Sequence, residues 1–294
     1  MIKIIISGLL FLCCTLSSAN TLSNSIIYGI GERKTEVDWN IAGNLVGTNP
    51  NIISELTWNN IKSHQFLLGG ILMEKDYFLQ LFGEYGTIHA GENQDSDYNL
   101  DNRKGEFSRS VNNAGKGYLL DGEINYGKDY FFSGKLKVSP MIGYGFHRQK
   151  LRIYDGNQVI GSADLSGLDS LYQANWHGPQ VGVSLNYKKN SNVVSFNYGY
   201  QDISFYGHAD WNLRSDLKHP KSMTQQGNGS GTKISGSFEH AISNFSSLSL
   251  VMNHYNYSAT GEHTFHLLSI DPSQKLNQVN WKGVETKLVY RSLF

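Results

Sequence analysis

The sequence holds only two cysteines in 294 residues, and they are neighbours, Cys13 and Cys14. Both fall inside an N-terminal stretch with the marks of an export leader, so the exported chain is expected to carry none. A disulfide framework, a thiolate metal site and a cysteine nucleophile are thereby excluded together. Proline is scarce, at five residues, and neither sign of charge is in excess, with 25 Lys and Arg against 25 Asp and Glu. A balanced chain without a basic cluster argues against a nucleic-acid partner. Beyond the leader no apolar run is long enough for a membrane-spanning helix. That absence does not exclude a membrane protein, because a barrel strand turns an apolar side chain to lipid only at every second residue.

The leader reads as follows. Lys3 supplies a positive start, Ile4 to Leu12 form a short apolar run, and Ser17-Ser18-Ala19 offer the small side chains of a cleavage site. Leu10-Phe11-Leu12 ahead of Cys13 fit a lipoprotein signal poorly. The expected organisation is a signal peptide over 1–19 and one domain over 20–294, with no internal repeat.

Glycine (31 residues) and tyrosine (17) are abundant, and hydrophobicity alternates with period two. Tyr118, Leu120, Gly122, Ile124 and Tyr126 share one face, with Asp121, Glu123 and Asn125 on the other. Val181, Val183, Leu185 and Tyr187 do the same against Gly182, Ser184 and Asn186. Leu120 is expected to meet lipid near mid-depth. Connections alternate in length. Short turns fall near Glu74-Lys75-Asp76, Ser133-Gly134, Lys189-Asn190-Ser191 and Ser243-Asn244, and long polar segments at 32–51, 91–115, 155–178, 211–231 and 259–278. That asymmetry predicts an all-β fold, a ten-stranded antiparallel up-and-down transmembrane barrel of the bacterial outer membrane. Its tight turns and both termini would be periplasmic and its long loops extracellular. The last strand alternates down to a terminal Phe294, a pattern similar to the signal read by barrel-assembly machinery. Glu84, Asp121, Glu123, Lys188, Lys233 and Glu239 fall on inward faces and are expected to fill a narrow lumen, which excludes a wide pore.

Two acidic or acid–base motifs stand at the ends of strands. Asp95-Ser96-Asp97 follows the third strand and His208-Ala209-Asp210 ends the seventh, nearly opposite in a ring of ten. Facing each other across the mouth, they would bind and deprotonate a water, with the imidazole as base. Alternation counted from Leu79 and Leu81, and from Phe196 and Tyr198, instead sends all four residues to the lipid side. Each strand therefore needs a bulge or a loop excursion before the site, with Gly86 or Gly91 on one and Gly207 on the other as candidate places. His263 and His266 lack a third ligand, so no metal is expected. No phosphate-binding glycine loop or nucleophile elbow is present.

Several segments together resemble the omptin family of outer-membrane endopeptidases. They are Ile53-Ser54-Glu55-Leu56-Thr57-Trp58, Gly143-Tyr144 leading to Arg148, Pro179-Gln180-Val181-Gly182, and the Asp-x-Asp at Asp95 and Asp97. The resemblance covers the exported chain and implies an aspartate- and histidine-activated water at Asp95, Asp97, His208 and Asp210. The order of the last pair is reversed relative to the family. It also implies a substrate-binding acid at Glu36, whose partner position holds Tyr206. Lipopolysaccharide binding is implied at Tyr144 and Arg148, where a third basic position is occupied by Asn175. No cofactor is implied beyond lipopolysaccharide required for activity. The implied partners are outer-membrane lipid, the assembly machinery and a peptide or protein substrate. Two readings stay open: a surface endopeptidase, or a non-catalytic barrel acting as adhesin, scaffold or lipopolysaccharide-binding protein. The leader is expected to be cut after Ala19, which mass spectrometry of the exported N-terminus checks; an intact Met1 on membrane-embedded protein refutes it.

Overall fold

A computed structural model describes residues 24–294; the leader lies outside them. Among the described residues, twelve strands form one antiparallel sheet and there are no helices. They are β1 (Ser25–Ile41), β2 (Ser54–Glu74), β3 (Tyr77–Leu100), β4 (Lys104–Asn113), β5 (Gly117–Lys128), β6 (Tyr130–Phe131), β7 (Leu136–Ile160), β8 (Asp169–Lys189), β9 (Asn192–Asp210), β10 (Met223–Ser243), β11 (Ser246–Phe265) and β12 (Ser273–Leu293). β4, β5 and β6 follow one another along a single stave: β4 and β5 both pair with β3 on one side and β7 on the other, and β6 pairs with β7. The sheet therefore closes as ten staves, with β1 paired to both β2 and β12. Closure leaves no unpaired edge, which lipid would not tolerate.

All four expected short turns lie at one end of the barrel, beside both strand termini, and Ser25 pairs with Leu293 there. The opposite end carries less loop than expected. Only residues 42–53, 101–103, 161–168, 211–222 and 266–272 connect staves there. Most of the polar segments read as loops are strand. The physical reason is a change of solvent along each stave.

In the half near the turns, outward side chains are apolar and exposed, as with Tyr28 and Ile30, Leu79 and Leu81, Phe196 and Tyr198, or Leu288 and Tyr290. That band is the lipid-facing belt. Further along the same staves the pattern reverses with the backbone phase unchanged. On β1 the outward residues become Glu32, Lys34 and Glu36, while the inward Val37, Trp39 and Ile41 are buried. On β12, Lys282 and Asn280 face out and Trp281 and Val279 are buried within. The loop half is thus a strand-walled domain in water, packed around a core that includes Trp39, Trp58, Tyr172, Trp176, Tyr257 and Trp281. Its rings are in contact: Trp58 stacks on Tyr172 at 4.9 Å and Tyr257 lies 4.6 Å from Trp281.

Below this core lies a layer of buried charge. Arg33 reaches Asp121 at 2.7 Å and Glu84 and Glu285 at 3.0 Å, joining β1 to β5, β3 and β12. Lys287 bridges Glu84 and Glu285, and Lys233 meets Glu123 at 2.5 Å. Tyr255 and Asn253 donate to Glu285 at 2.8 and 2.6 Å. Beneath the charges a cavity of about 300 Å³ opens among Phe82, Asn125, Gln180 and Val251.

Leu120 faces outward as expected, but it pairs with Tyr85 and Arg148 at the upper rim of the belt rather than at mid-depth. Leu81, midway between Tyr77 and Tyr85 on β3 and opposite Ile124, marks the middle. Leu81→Arg should cost about 2–4 kcal/mol and Leu120→Arg about 0–1, read from reversible denaturant unfolding in lipid or detergent. Equal costs would show that the belt is misplaced.

Candidate functional site

The period-two ladder decides which motif residues can meet. On β2 an extra residue at Asn60, whose φ is 53°, breaks the register with β1 and β3. On β3 His89 is unpaired between Ile88 and Ala90. Beyond these bulges the inward phase of β3 changes from even to odd residues, so buried Asn93 faces the lumen and Asp95 and Asp97 follow it. Asp95 pairs with buried Leu56, and Asp97 with Ser54. Both acids lie on β3 itself rather than in a loop after it.

Their surroundings are polar but short of cations. Buried Ser110 and Asn112 of β4 continue the lining, and Asn112 donates to Asn93 at 2.8 Å. The Oδ1 of Asp95 is enclosed without a hydrogen-bond partner. Burial, and then the negative charge of Asp97, push the Asp95 carboxyl up to about 8, against the pull of Arg214. Burial also raises Asp97, against hydrogen bonding from Ser54 and the charge of Arg214. Arg214, on the segment between β9 and β10, was not singled out from sequence; it pairs with Asp216 at 2.7 Å.

β9 behaves differently. Its register with β10 runs unbroken from Asn192 to Ala209, and its pairs with β8 keep one register from Asn192 to Asp210. The expected bulge near Gly207 is absent. The inward positions are therefore Ile203, Phe205, Gly207 and Ala209, and His208 and Asp210 stand on the outer wall. His208 lies beside Tyr206, with ring centroids 5.9 Å apart. Burial, then the charges of Lys221, Arg148 and Lys150, lower its pKa. Asp210 pairs with His219 at 2.6 Å. The structure thus brings Asp95 and Asp97 together inside the mouth and leaves His208 and Asp210 outside it, contrary to the four-residue site expected from sequence. Glu36 departs in the same way. It points outward on β1 opposite Lys282, away from the mouth, because β1 has no bulge before it. His263 and His266 also separate. His263 is buried, held at 3.3 Å by Gln225, and burial pushes it down to about 3; His266 lies 3.2 Å from Asp271.

The outer wall above the belt gathers a second group. On β7 the outward residues Tyr144, Phe146, Arg148 and Lys150 succeed one another, beside Asn175 and His177 of β8. Arg148 donates to Asn175 at 2.7 Å, and Tyr144 lies 2.7 Å from His177. Lys150 sits 5.7 Å from the ring of Tyr118. Tyr144 and Arg148 thus share one outward face. His177, Lys150 and Tyr118 belong with them, and the outward parity of β7 was the signal that could have found them.

The family described as "Pom: Protochlamydia outer membrane protein" matches residues 28–291. Among solved structures, the outer membrane protease OmpT from Escherichia coli superposes with a TM-score of 0.78 at 13% identity, over 96% of this chain and 99% of that one. The translocator domain of the autotransporter NalP from Neisseria meningitidis gives 0.41 at 8% identity over 99% and 95%, and the P. putida toluene transporter TodX gives 0.32 at 9% over 95% and 92%. The first likeness shows the fold, an omptin-like barrel; the other two are too loose to argue from. No curated protein matches the chain.

An aspartate whose pKa is raised in the fold binds its proton more tightly there than when unfolded. Its protonated form therefore favours the fold below pH about 4, and that advantage is lost as pH rises toward the folded value of about 8. Asp95→Asn should match wild type near pH 4 and gain stability between pH 4 and 8, by at most about 1.4 kcal/mol per pH unit. Unfolding midpoints of the two proteins across that range test it, and a pH-independent difference counts against the enclosed carboxyl.

Proposed function

Since the chain belongs to the Protochlamydia outer membrane protein family and folds as an omptin-like outer-membrane barrel, we propose that it is a non-catalytic surface barrel that holds lipopolysaccharide on its outer wall. In this reading the turn end and both termini are periplasmic, and the water-exposed half stands outside the cell as a scaffold. The observation that carries it is the unbroken register of β9. An imidazole base must come within hydrogen-bond reach of its water, and His208 has the barrel wall between it and Asp95 and Asp97. The inward residues Phe205, Gly207 and Ala209 offer no acid or base in its place.

The lipid-binding part rests on the outer wall. Arg148 and Lys150 stand just above the belt, flanked by Tyr118, Tyr144 and His177, at the height where phosphate-bearing headgroups meet water. Arginine suits that role because its planar fork matches phosphate oxygens. The hydrogen bond from the Arg148 Nε to the Asn175 Oδ1 orients the guanidinium and leaves its terminal N–H groups for the anion.

Proteolysis is the rival reading. It draws on the likeness to OmpT and on the inward pair Asp95 and Asp97. Both readings are tested on one preparation: the folded barrel with lipopolysaccharide, assayed for lipid retention and for cleavage of a mixed peptide library. The expected outcome is no cleavage, with Arg148→Ala/Lys150→Ala retaining at least about a hundredfold less lipopolysaccharide, since each charge-assisted hydrogen bond lost costs about 1.5–3 kcal/mol and every 1.4 kcal/mol is about tenfold. Cleavage by the wild type that disappears in both Asp95→Ala and His208→Ala would restore the enzyme. Undiminished lipid retention by the double variant would remove the lipid-binding role.

A further inference from the structure

Three staves away from that basic wall, a different group assembles on the outer face. Glu32 of β1 pairs directly with His64 of β2, so their side chains stand side by side. His89 arrives from β3 as the unpaired residue of the bulge opposite the Lys62–Ser63 step. The result is compact. Glu32 Oε1 contacts His64 Nδ1, Glu32 Oε2 lies 3.5 Å from His89 Nε2, and the two imidazoles stack at 4.3 Å with planes 20° apart. One ligand atom from each residue falls within 4.8 Å of the others.

We propose that Glu32, His64 and His89 form a site for a divalent transition-metal ion of the zinc class. Two imidazole nitrogens and one carboxylate oxygen are a zinc donor set, and three protein ligands leave an open position. Tetrahedral donors about 2 Å from a metal lie roughly 3.3 Å apart, so atoms within 4.8 Å of one another need to draw in by at most about 1.5 Å. Exposed side chains do this by rotamer adjustment, and all three are exposed. The Glu32 carboxylate already contacts both rings, and a cation bound among the three would be shared by all of them.

The surroundings narrow the choice of ion. Above the triad, Lys34 and Lys62 pair directly across β1 and β2 and face outward; Thr87 and Thr286 flank it, and Ile30 and Phe66 lie below at the top of the belt. Two ammonium groups disfavour cations held by charge alone. Imidazole nitrogen favours zinc, nickel and copper, whereas calcium and magnesium want several oxygens. The open position faces the headgroup layer, where water or an anionic oxygen completes the shell, and the lysines favour the anion.

Isothermal titration of an untagged, folded barrel in detergent tests the site with Zn²⁺, and with Ca²⁺ and Mg²⁺ for comparison. Loss of a group that merely supports a metal ligand costs about ten- to a hundredfold in affinity. His64→Ala and His89→Ala should each therefore weaken Zn²⁺ binding at least about tenfold, and Glu32→Gln should weaken it without altering the shape of the wall. His219→Ala, remote on the segment after β9, should leave it unchanged. Cu²⁺ added as a spectroscopic probe should show two equivalent nitrogen couplings in the wild type and one in each histidine variant. Absence of Zn²⁺ binding by the wild type overturns the proposal. So does undiminished binding by the double variant His64→Ala/His89→Ala, or an equal response to Ca²⁺.

Discussion

Each stave of this barrel passes through two solvents, and the boundary between them fixes the rest. In lipid the outward positions must be apolar and the inward ones may be polar; in water the preference inverts. The backbone need not change phase for this to happen. β1 runs from Ile30 outward to Trp39 inward without a break, and β12 runs from Leu288 outward to Trp281 inward. The water-exposed half can then bury an aromatic core of the kind that stabilises a soluble β-protein. The lipid-exposed half relies on the surrounding hydrocarbon and on its closed hydrogen-bond ladder.

The charged layer sits where the two regimes meet. Arg33 faces three carboxylates from three other staves, and Lys287 shares two of them. Buried ions cost several kcal/mol each in lost hydration, and a cluster of this kind recovers that cost only when its members satisfy one another. Here the donors Tyr255, Asn253 and His147 complete the set, with His147 2.9 Å from Asp121. The layer therefore contributes definition more than net stability, fixing the relative heights of β1, β3, β5 and β12.

Much of the fold was legible in the sequence because short-range rules govern it. Alternation marked the staves, and the turn at Lys75-Asp76 and the residues around Asn190 marked their reversals. The sizes of the loops were misjudged because residues such as Glu36, Asp38 and Asn280 are polar for facing water from a strand. The site was legible only in part. A bulge costs one extra residue in one strand, and no local signal distinguishes β3, which has one at His89, from β9, which has none near Gly207. Arg214 and the Glu32–His64–His89 group come together through pairing between distant stretches, so inspection of any one segment passes over them.

The register of β9 also has an evolutionary side. A ladder of period two tolerates substitution at outward positions above the lipid, where side chains meet only water. It tolerates single insertions far less, since one added residue exchanges the faces of everything beyond it. His208 and Asp210 lie past Gly207, close to the end of their stave, where such an exchange would disturb only a few neighbours. Between a wall that carries an imidazole to no purpose inside the mouth and one that presents it to Asp95 and Asp97, the genetic distance is a single in-frame codon.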